Sequence, residues 1–294
     1  MLPPVDLVVV TYFPDRNRLK EGLASLAIQV RNLILVSNNV DDFSDLDLPV
    51  IHVDLKENRG IGYAQNIGIQ RAIQLGAELV LTSDQDTVYP NGYVISLLEV
   101  INDLKKDKKK VGAVGPVFRD ENNGGKIHPM VKFDRIYLKK FIGIEHSYPV
   151  SHMISSGMLI PVSSFQSVGL MKEDFFMDWI DTEWCWRSIK MGFEIFQVSS
   201  IVVSHTLGHS SKDFFLFSGT NHSYPREYFK IRNAILLLRD SNFSNFSNRL
   251  YLLLFVMKNS LLNLIKGFNN KIFFKVVFIS FSDGFNGKSG PCPI

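Results

Sequence analysis

Cysteine is nearly absent from this 294-residue chain: only Cys185 and Cys292 occur. That excludes a disulfide framework and a cysteine-rich metal site, and it fits a reducing compartment. Charge of one sign is also scarce. The formal net charge is +3, too little to argue for nucleic acid as a partner. Long apolar runs are missing too. Those near the C-terminus are broken by Lys258, Lys266 and Lys275, short of the ~18 uninterrupted residues that mark a membrane-spanning helix. Met1-Leu2-Pro3-Pro4 lacks the basic and apolar regions of a signal peptide, so none is expected, and the sequons at Asn221, Asn242 and Asn245 read as chance. No glycine-rich loop bearing Arg or Lys follows the first apolar run, Val5–Val10, which continues as Thr11-Tyr12-Phe13-Pro14. That argues against nucleotidyl transfer. What remains is a chain with 46% hydrophobic and 21% charged residues, enough to bury a proper core in one large α/β unit or two smaller ones.

The most informative stretch is Leu79-Val80-Leu81-Thr82-Ser83-Asp84-Gln85-Asp86-Thr87. It reads as a buried parallel strand ending in two carboxylates. Ligands of open α/β sheets bind beyond the carboxyl ends of strands, and carboxylate oxygens there suit a hard divalent cation. A plain turn is the competing reading. Around this stretch the pattern alternates. Strands are expected at Val5–Val10, Leu33–Val36 and Val50–Val53, and helices at Arg16–Ile28 and at Gly60–Leu75, with Gly76 closing the second. Strand, helix, strand, strand, helix, strand implies a mostly parallel sheet with crossover helices. A helix over Asn91–Leu104 and a strand over Val111–Pro116 follow. The five lysines between Lys105 and Lys110 read as a solvated helix end or a contact with an acidic membrane. Residues 119–150 have no clear period.

Ser155-Ser156-Gly157 puts small residues inside an apolar stretch, which signals a bulge or close approach to a ligand. The segment Phe175–Arg187 is aromatic-rich yet carries Asp178, Asp181 and Glu183; a helix is expected from Asp181, which is either its cap or a reactive acid. Strands are expected at Phe193–Val198 and Ile201–Ser204, followed by His205. Beyond Pro225 come the apolar, Phe-rich segments Arg226–Arg239, Phe246–Lys266 and Lys271–Phe281. Their bulky residues form either a core or a face for a membrane surface.

Taken together, Val10-Thr11-Tyr12, Glu57–Gly68 (ENRGIGYAQNIG), Asp84-Gln85-Asp86-Thr87, Ser156-Gly157, Asp178–Arg187 (DWIDTEWCWR) and His205-Thr206-Leu207-Gly208 resemble glycosyltransferase family 2, and within it the bacterial rhamnosyltransferases of polysaccharide and O-antigen assembly. The resemblance implies the GT-A fold, a Rossmann-like, mostly parallel sheet flanked by helices with a C-terminal helical extension. It implies a nucleotide-sugar-binding and catalytic domain over 1–222 and a helical region over 223–294 that associates with membrane. It implies an inverting, metal-dependent transfer of L-rhamnose from dTDP-L-rhamnose to a lipid-linked glycan acceptor at the cytoplasmic face of the membrane. Under it, Thr11, Tyr12, Asn38, Asn58, Gly60, Gly62, Asn66, Asp84, Gln85, Ser156, Gly157, Arg226 and Arg232 serve the donor. Asp86 and His205, with Asp84 as a further candidate, hold Mg²⁺ or Mn²⁺. Asp181 is the base that deprotonates the acceptor, with Glu183 as the alternative. Other readings are a UDP- or GDP-linked donor, a nucleotidyltransferase and a non-catalytic nucleotide-sugar-binding module.

Overall fold

The computed structural model describes residues 3–120, 124–134, 137–143, 146–205, 223–240 and 246–294. Its centre is a sheet with strand order β3-β2-β1-β4-β10-β5-β11-β9. The strands are β1 (Val5–Thr11), β2 (Asn32–Ser37), β3 (Val50–Asp54), β4 (Leu79–Ser83), β5 (Val111–Asp120), β6 (Lys126–Ile127, paired to β5), β7 (Met130–Asp134), β8 (Tyr137–Phe141), β9 (Ser147–Val150), β10 (Met158–Pro161) and β11 (Glu194–His205). The helices are α1 (Arg16–Ala27), α2 (Ile61–Gln74), α3 (Tyr93–Lys106), α4 (Val162–Val168), α5 (Ile180–Lys190), α6 (Tyr224–Arg239), α7 (Phe246–Gly267) and α8 (Ile272–Asn286). Strands β1 to β4 pair in parallel; β10 runs against both β4 and β5, and β11 is parallel to β5.

Period-two alternation in β1 and β4 sends side chains to two cores. Leu7, Val9, Leu79 and Leu81 pack with α1 and α3, whereas Val8 and Val80 face α2, α5, α6 and α7. Helix α1 starts at Asp15, whose side chain accepts the Arg18 N–H at 3.0 Å, and buries Leu19, Leu23 and Leu26. Gly76 closes α2 at φ +80°, as expected of a C′ glycine. Because β1, β2 and β4 are parallel and in register, Thr11, Ser37 and Ser83 end together at one edge of the sheet. The loop Asp84–Asp86 emerges at that edge.

Three expectations needed revision. The two short strands over 193–198 and 201–204 are one strand, β11, with a register shift between Val198 and Val202 that breaks the apparent period. The region 119–150 contains the end of β5, β6, the β7–β8 hairpin and β9, pairs too short to show a period. Helix α7 has 22 residues, with a mean hydropathy of 1.3 over its most apolar 18-residue window, so by length and composition it could cross a membrane, although Lys258 and Lys266 interrupt its apolar run. Its faces are reversed relative to a soluble helix. It buries Leu252, Val256, Ser260, Asn263 and Gly267 and exposes Leu253, Leu254, Met257, Leu261, Leu264 and Ile265, with Phe268 exposed just past its end. Helix α8 likewise buries Val276, Ser280, Asp283 and Gly284 while Phe274, Phe278 and Phe285 stand exposed.

Candidate active site

The edge where β1, β2 and β4 end is braced by side-chain-to-backbone bonds. Gln85 accepts the Tyr12 N–H at 2.7 Å and donates to the Tyr12 carbonyl at 3.3 Å, locking the loop after β4 to the loop after β1. Asn38 accepts the Arg59 N–H at 2.8 Å, and Asn58 accepts the Gly60 N–H at 3.0 Å. Thr11 is fully buried and its Oγ1 has no hydrogen-bond partner. Gly60 and Gly62, which the resemblance assigns to the donor, lie against protein backbone here. A Cβ on Gly60, at φ +83°, would sit 2.7 Å from the Phe176 carbonyl, and one on Gly62 would sit 2.8 Å from that of Lys172. The first N–H of α2, from Ile61, is already donated to Phe176 O at 2.7 Å. These glycines therefore let the 172–176 segment lie against the start of α2, which in turn positions α5.

Between that segment and β4 lies a cavity of about 350 Å³ lined by Asp84, Ser155, Asp178, Trp179, Asp181, His152, Arg226, Lys230, Tyr251 and Phe255, among others. Asp181, in the first turn of α5, accepts the Thr182 N–H at 2.7 Å and the Ser155 N–H at 3.2 Å. Burial pushes its carboxyl up to about 6, those two N–H groups oppose the shift, and the nearby charge of Asp84 adds to it. Asp178, in the left-handed region at φ +58°, pairs with Arg226 at 3.3 Å, and burial raises its carboxyl as well. Lys230 is pushed down by burial, against the pull of Glu227. His152 is held down to about 4 by burial, so its imidazole is neutral, and its Nδ1 is buried without a partner.

Several expected site residues sit elsewhere. Glu183 is 2% exposed and grips Arg187 through two 2.8 Å bonds; it lines a groove with Leu170 and Lys190, away from Asp181. Arg232 is fully buried and donates to Phe175 O, Gly290 O and Asn233 Oδ1. Asn66 holds Met171 and Glu173. Ser156 and Gly157 lie behind the acidic loop: Ser156 Oγ accepts the Asp84 N–H at 3.2 Å, and a Cβ on Gly157 would meet the Tyr93 hydroxyl. His205 ends β11 opposite Asp120, its side chain and residues 206–208 lying outside the described residues. Asp86 lies in the loop with Asp84, and its carbonyl accepts from Arg18 Nε at 3.1 Å. Among the described residues, no group of three or more His, Cys, Asp or Glu is arranged to hold a metal. Asp84 and Asp86 are of the hard-oxygen type that suits Mg²⁺ or Mn²⁺. The residues that sequence reasoning missed are His152, Trp179, Lys230, Tyr251 and Phe255. Trp179 lies in the aromatic, acid-bearing segment that the sequence singled out, and Tyr251 and Phe255 have a four-residue spacing that places them on one face of α7.

Residues 7–169 match the family model described as glycosyl transferase family 2. The chain is 30% identical over 243 residues to a dTDP-rhamnosyl transferase, RfbF, of Shigella flexneri, covering 80% of each chain. Among solved structures it resembles S. aureus TarS 1–349 with a TM-score of 0.58 at 13% identity, over 96% of this chain and 80% of that one. It also resembles GalNAc-T7 with UDP, GalNAc and Mn²⁺, with a TM-score of 0.57 at 12% identity, over 85% of this chain and 54%, about half, of that one. At such identities the structural likenesses speak to the fold, which is GT-A.

Proposed function

This chain belongs to glycosyltransferase family 2, and from that premise we propose that it transfers L-rhamnose from dTDP-L-rhamnose, with inversion, to a lipid-linked glycan acceptor in the assembly of a cell-surface polysaccharide. The observation that carries the chemistry is Asp181, a carboxylate on the wall of the cavity shared with Asp84, raised to about 6 by burial. A base near the working pH is suited to taking a proton as a bond forms. The acceptor hydroxyl attacks the anomeric carbon, its proton passes to Asp181, and the bond to the diphosphate breaks in the same displacement. One base and one displacement invert the centre. Asp84 and Asp86 would hold Mg²⁺ or Mn²⁺, which when bound supplies charge neutralisation to the diphosphate. Arg226 and Lys230 add positive charge to the same cavity. Rhamnose and dTDP are supported by the likeness to RfbF.

In this reading residues 1–222 bind the nucleotide sugar, and residues 223–294 close the cavity and meet the membrane that carries the acceptor. The reversed faces of α7 and α8 support a position at the cytoplasmic membrane surface. Calorimetric titration with dTDP, UDP and GDP, each with and without Mg²⁺ or Mn²⁺, tests the donor assignment. The expected result is metal-dependent binding of dTDP at least tenfold tighter than of UDP or GDP. A preference for UDP or GDP would reassign the donor. Absence of any nucleoside diphosphate binding with metal present would end the transferase reading.

A further inference from the structure

The three rings of Trp179, Tyr251 and Phe255 all line the cavity beside Asp181. Trp179 and Phe255 meet edge-on with centroids 4.8 Å apart; Tyr251 lies 6.2 Å from Trp179 and 6.3 Å from Phe255. Trp179 precedes α5 and its indole N–H donates to the Lys230 carbonyl at 3.0 Å, which fixes the ring against α6. Tyr251 and Phe255 are one turn apart on α7 and remain partly exposed, unlike Leu252 and Val256 between and beside them. Trp179 is buried in the main core and Tyr251 and Phe255 pack against that core, yet all three also border open space. They form one side of a space whose polar lining includes Asp84, Asp178, Asp181, Arg226, Lys230 and His152. Apolar walls with a few convergent polar groups are what small-molecule sites are made of. A pyranose matches that mixture, with an apolar C–H face for the rings and a rim of hydroxyls for the polar groups. A neutral imidazole, which can both donate and accept, suits a hydroxyl, which does the same. The His152 Nδ1 is buried and unpartnered.

We propose that Trp179, Tyr251 and Phe255, with His152, form the acceptor subsite and receive a sugar ring by its apolar face, so that α7 is part of the active site. This rests on the transferase reading. The acceptor, not the transferred sugar, is assigned here because the attacking hydroxyl must reach Asp181 while the donor diphosphate is drawn to Asp84 and Asp86. Tyr251 and Phe255 also lie beyond residues 7–169, the span that matches the family model, as suits a part that reads an acceptor differing between enzymes.

Saturation-transfer NMR on the full chain loaded with dTDP and Mg²⁺ tests this, with methyl α-L-rhamnopyranoside and methyl N-acetyl-β-D-glucosaminide as probes. Ring C–H signals of at least one probe should saturate in the wild type. Phe255→Leu should reduce that signal at least fivefold, and Phe255→Tyr should retain it, with melting temperature and dTDP affinity within twofold and a few degrees of wild type in both. Unchanged saturation in Phe255→Leu, or no saturation of either probe in the dTDP-loaded wild type, overturns the subsite. A parallel loss of dTDP affinity in Phe255→Leu also overturns it, by assigning the wall to the donor. If dTDP itself fails to bind, the transferase reading falls, and saturation of the unloaded protein decides the subsite alone.

Discussion

Asp181 sits where one placement has two opposed consequences. Burial and the neighbouring charge of Asp84 hold its carboxyl near 6, which makes it an apt base and also makes its ionised form costly to the fold. The signs follow from linkage. A folded-state value above the unfolded one means that the native protein gains stability from the proton at low pH and loses it as the pH rises from about 4 through about 6. Asp181→Asn should therefore lower turnover by roughly 10²–10⁴-fold, leave dTDP binding nearly intact, and raise the melting temperature at pH 8 but not near pH 4. The wild-type kcat/KM should climb through about pH 6 and then level off. A flat profile, or wild-type turnover in Asp181→Asn, would remove Asp181 from the base role. Glu183, fixed by its two bonds to Arg187, is not the natural successor. Asp84, Asp86 and Asp181 were legible in the sequence because carboxylates at the end of an apolar strand or inside an aromatic segment are conspicuous. His152 and Lys230 were not. Each is an ordinary residue on its own element, and only tertiary packing brings residues 152, 230 and 251 to one cavity.

At the scale of elements, Arg232, expected from the resemblance to serve the donor, is fully buried and ties α6 to its surroundings. Its guanidinium donates to Phe175 O at 2.9 Å in the segment ahead of α5, and to Gly290 O at 2.8 Å near the C-terminus. Asn233 adds three bonds to the carbonyls of Phe175, Met177 and Asp178. Removing Arg232 takes the donor from Gly290 O and Asn233 Oδ1, while Phe175 O keeps its bonds from Asn233 and the Met177 N–H, and it empties a fully buried site, a loss of about 1–3 kcal/mol. Arg232→Ala should thus lower the melting temperature by several degrees while the folded fraction binds dTDP with wild-type affinity, as read by calorimetry below the transition. A tenfold loss of dTDP affinity with unchanged melting would return Arg232 to the donor site. An arginine in an amphipathic helix near a resembling motif offers no sequence signal of its burial; its neighbours in space come from residues 175 and 290. The same limit explains β11, where a bulge split one strand into two apparent ones. It explains residues 119–150 as well, where pairing partners, not local period, make the strands. In the parallel block β1–β4, β1, β2 and β4 were legible because they are buried on both faces and read as largely apolar runs.

For the whole molecule, the reversed faces of α7 and α8 call for a physical cause. A soluble helix bundle buries most of its large apolar side chains, whereas here Leu252, Val256 and Val276 share the inward faces with Ser260, Asn263, Ser280, Asp283 and Gly284. Asn263 donates to Glu227 at 3.0 Å, Asp283 accepts from the Tyr228 hydroxyl at 2.9 Å, and a Cβ on Gly284 would press on Ile235 at 2.8 Å. That leaves Phe268 at 83%, Phe278 at 75% and Met257 at 60% exposure. Small inward residues with bulky outward ones are the pattern of helices whose outer solvent is lipid. Exposed Lys258, Lys271 and Lys275 lie along the same two helices, long enough to reach anionic headgroups while their stems lie on the apolar face. A lipid surface therefore fits better than a second copy of the chain, for which a row of lysines would be repulsive across a two-fold interface. Co-sedimentation with vesicles containing anionic phosphatidylglycerol should capture the wild type, more weakly as salt rises, and alkaline carbonate should release it if α7 lies in the interface plane. Phe268→Glu together with Phe278→Glu should weaken capture at least tenfold and leave dTDP affinity unchanged, since neither residue lines the cavity. Capture that survives both substitutions, or a wild type that ignores vesicles and dimerises through α7 and α8 in sedimentation velocity, would overturn the assignment of this face to lipid.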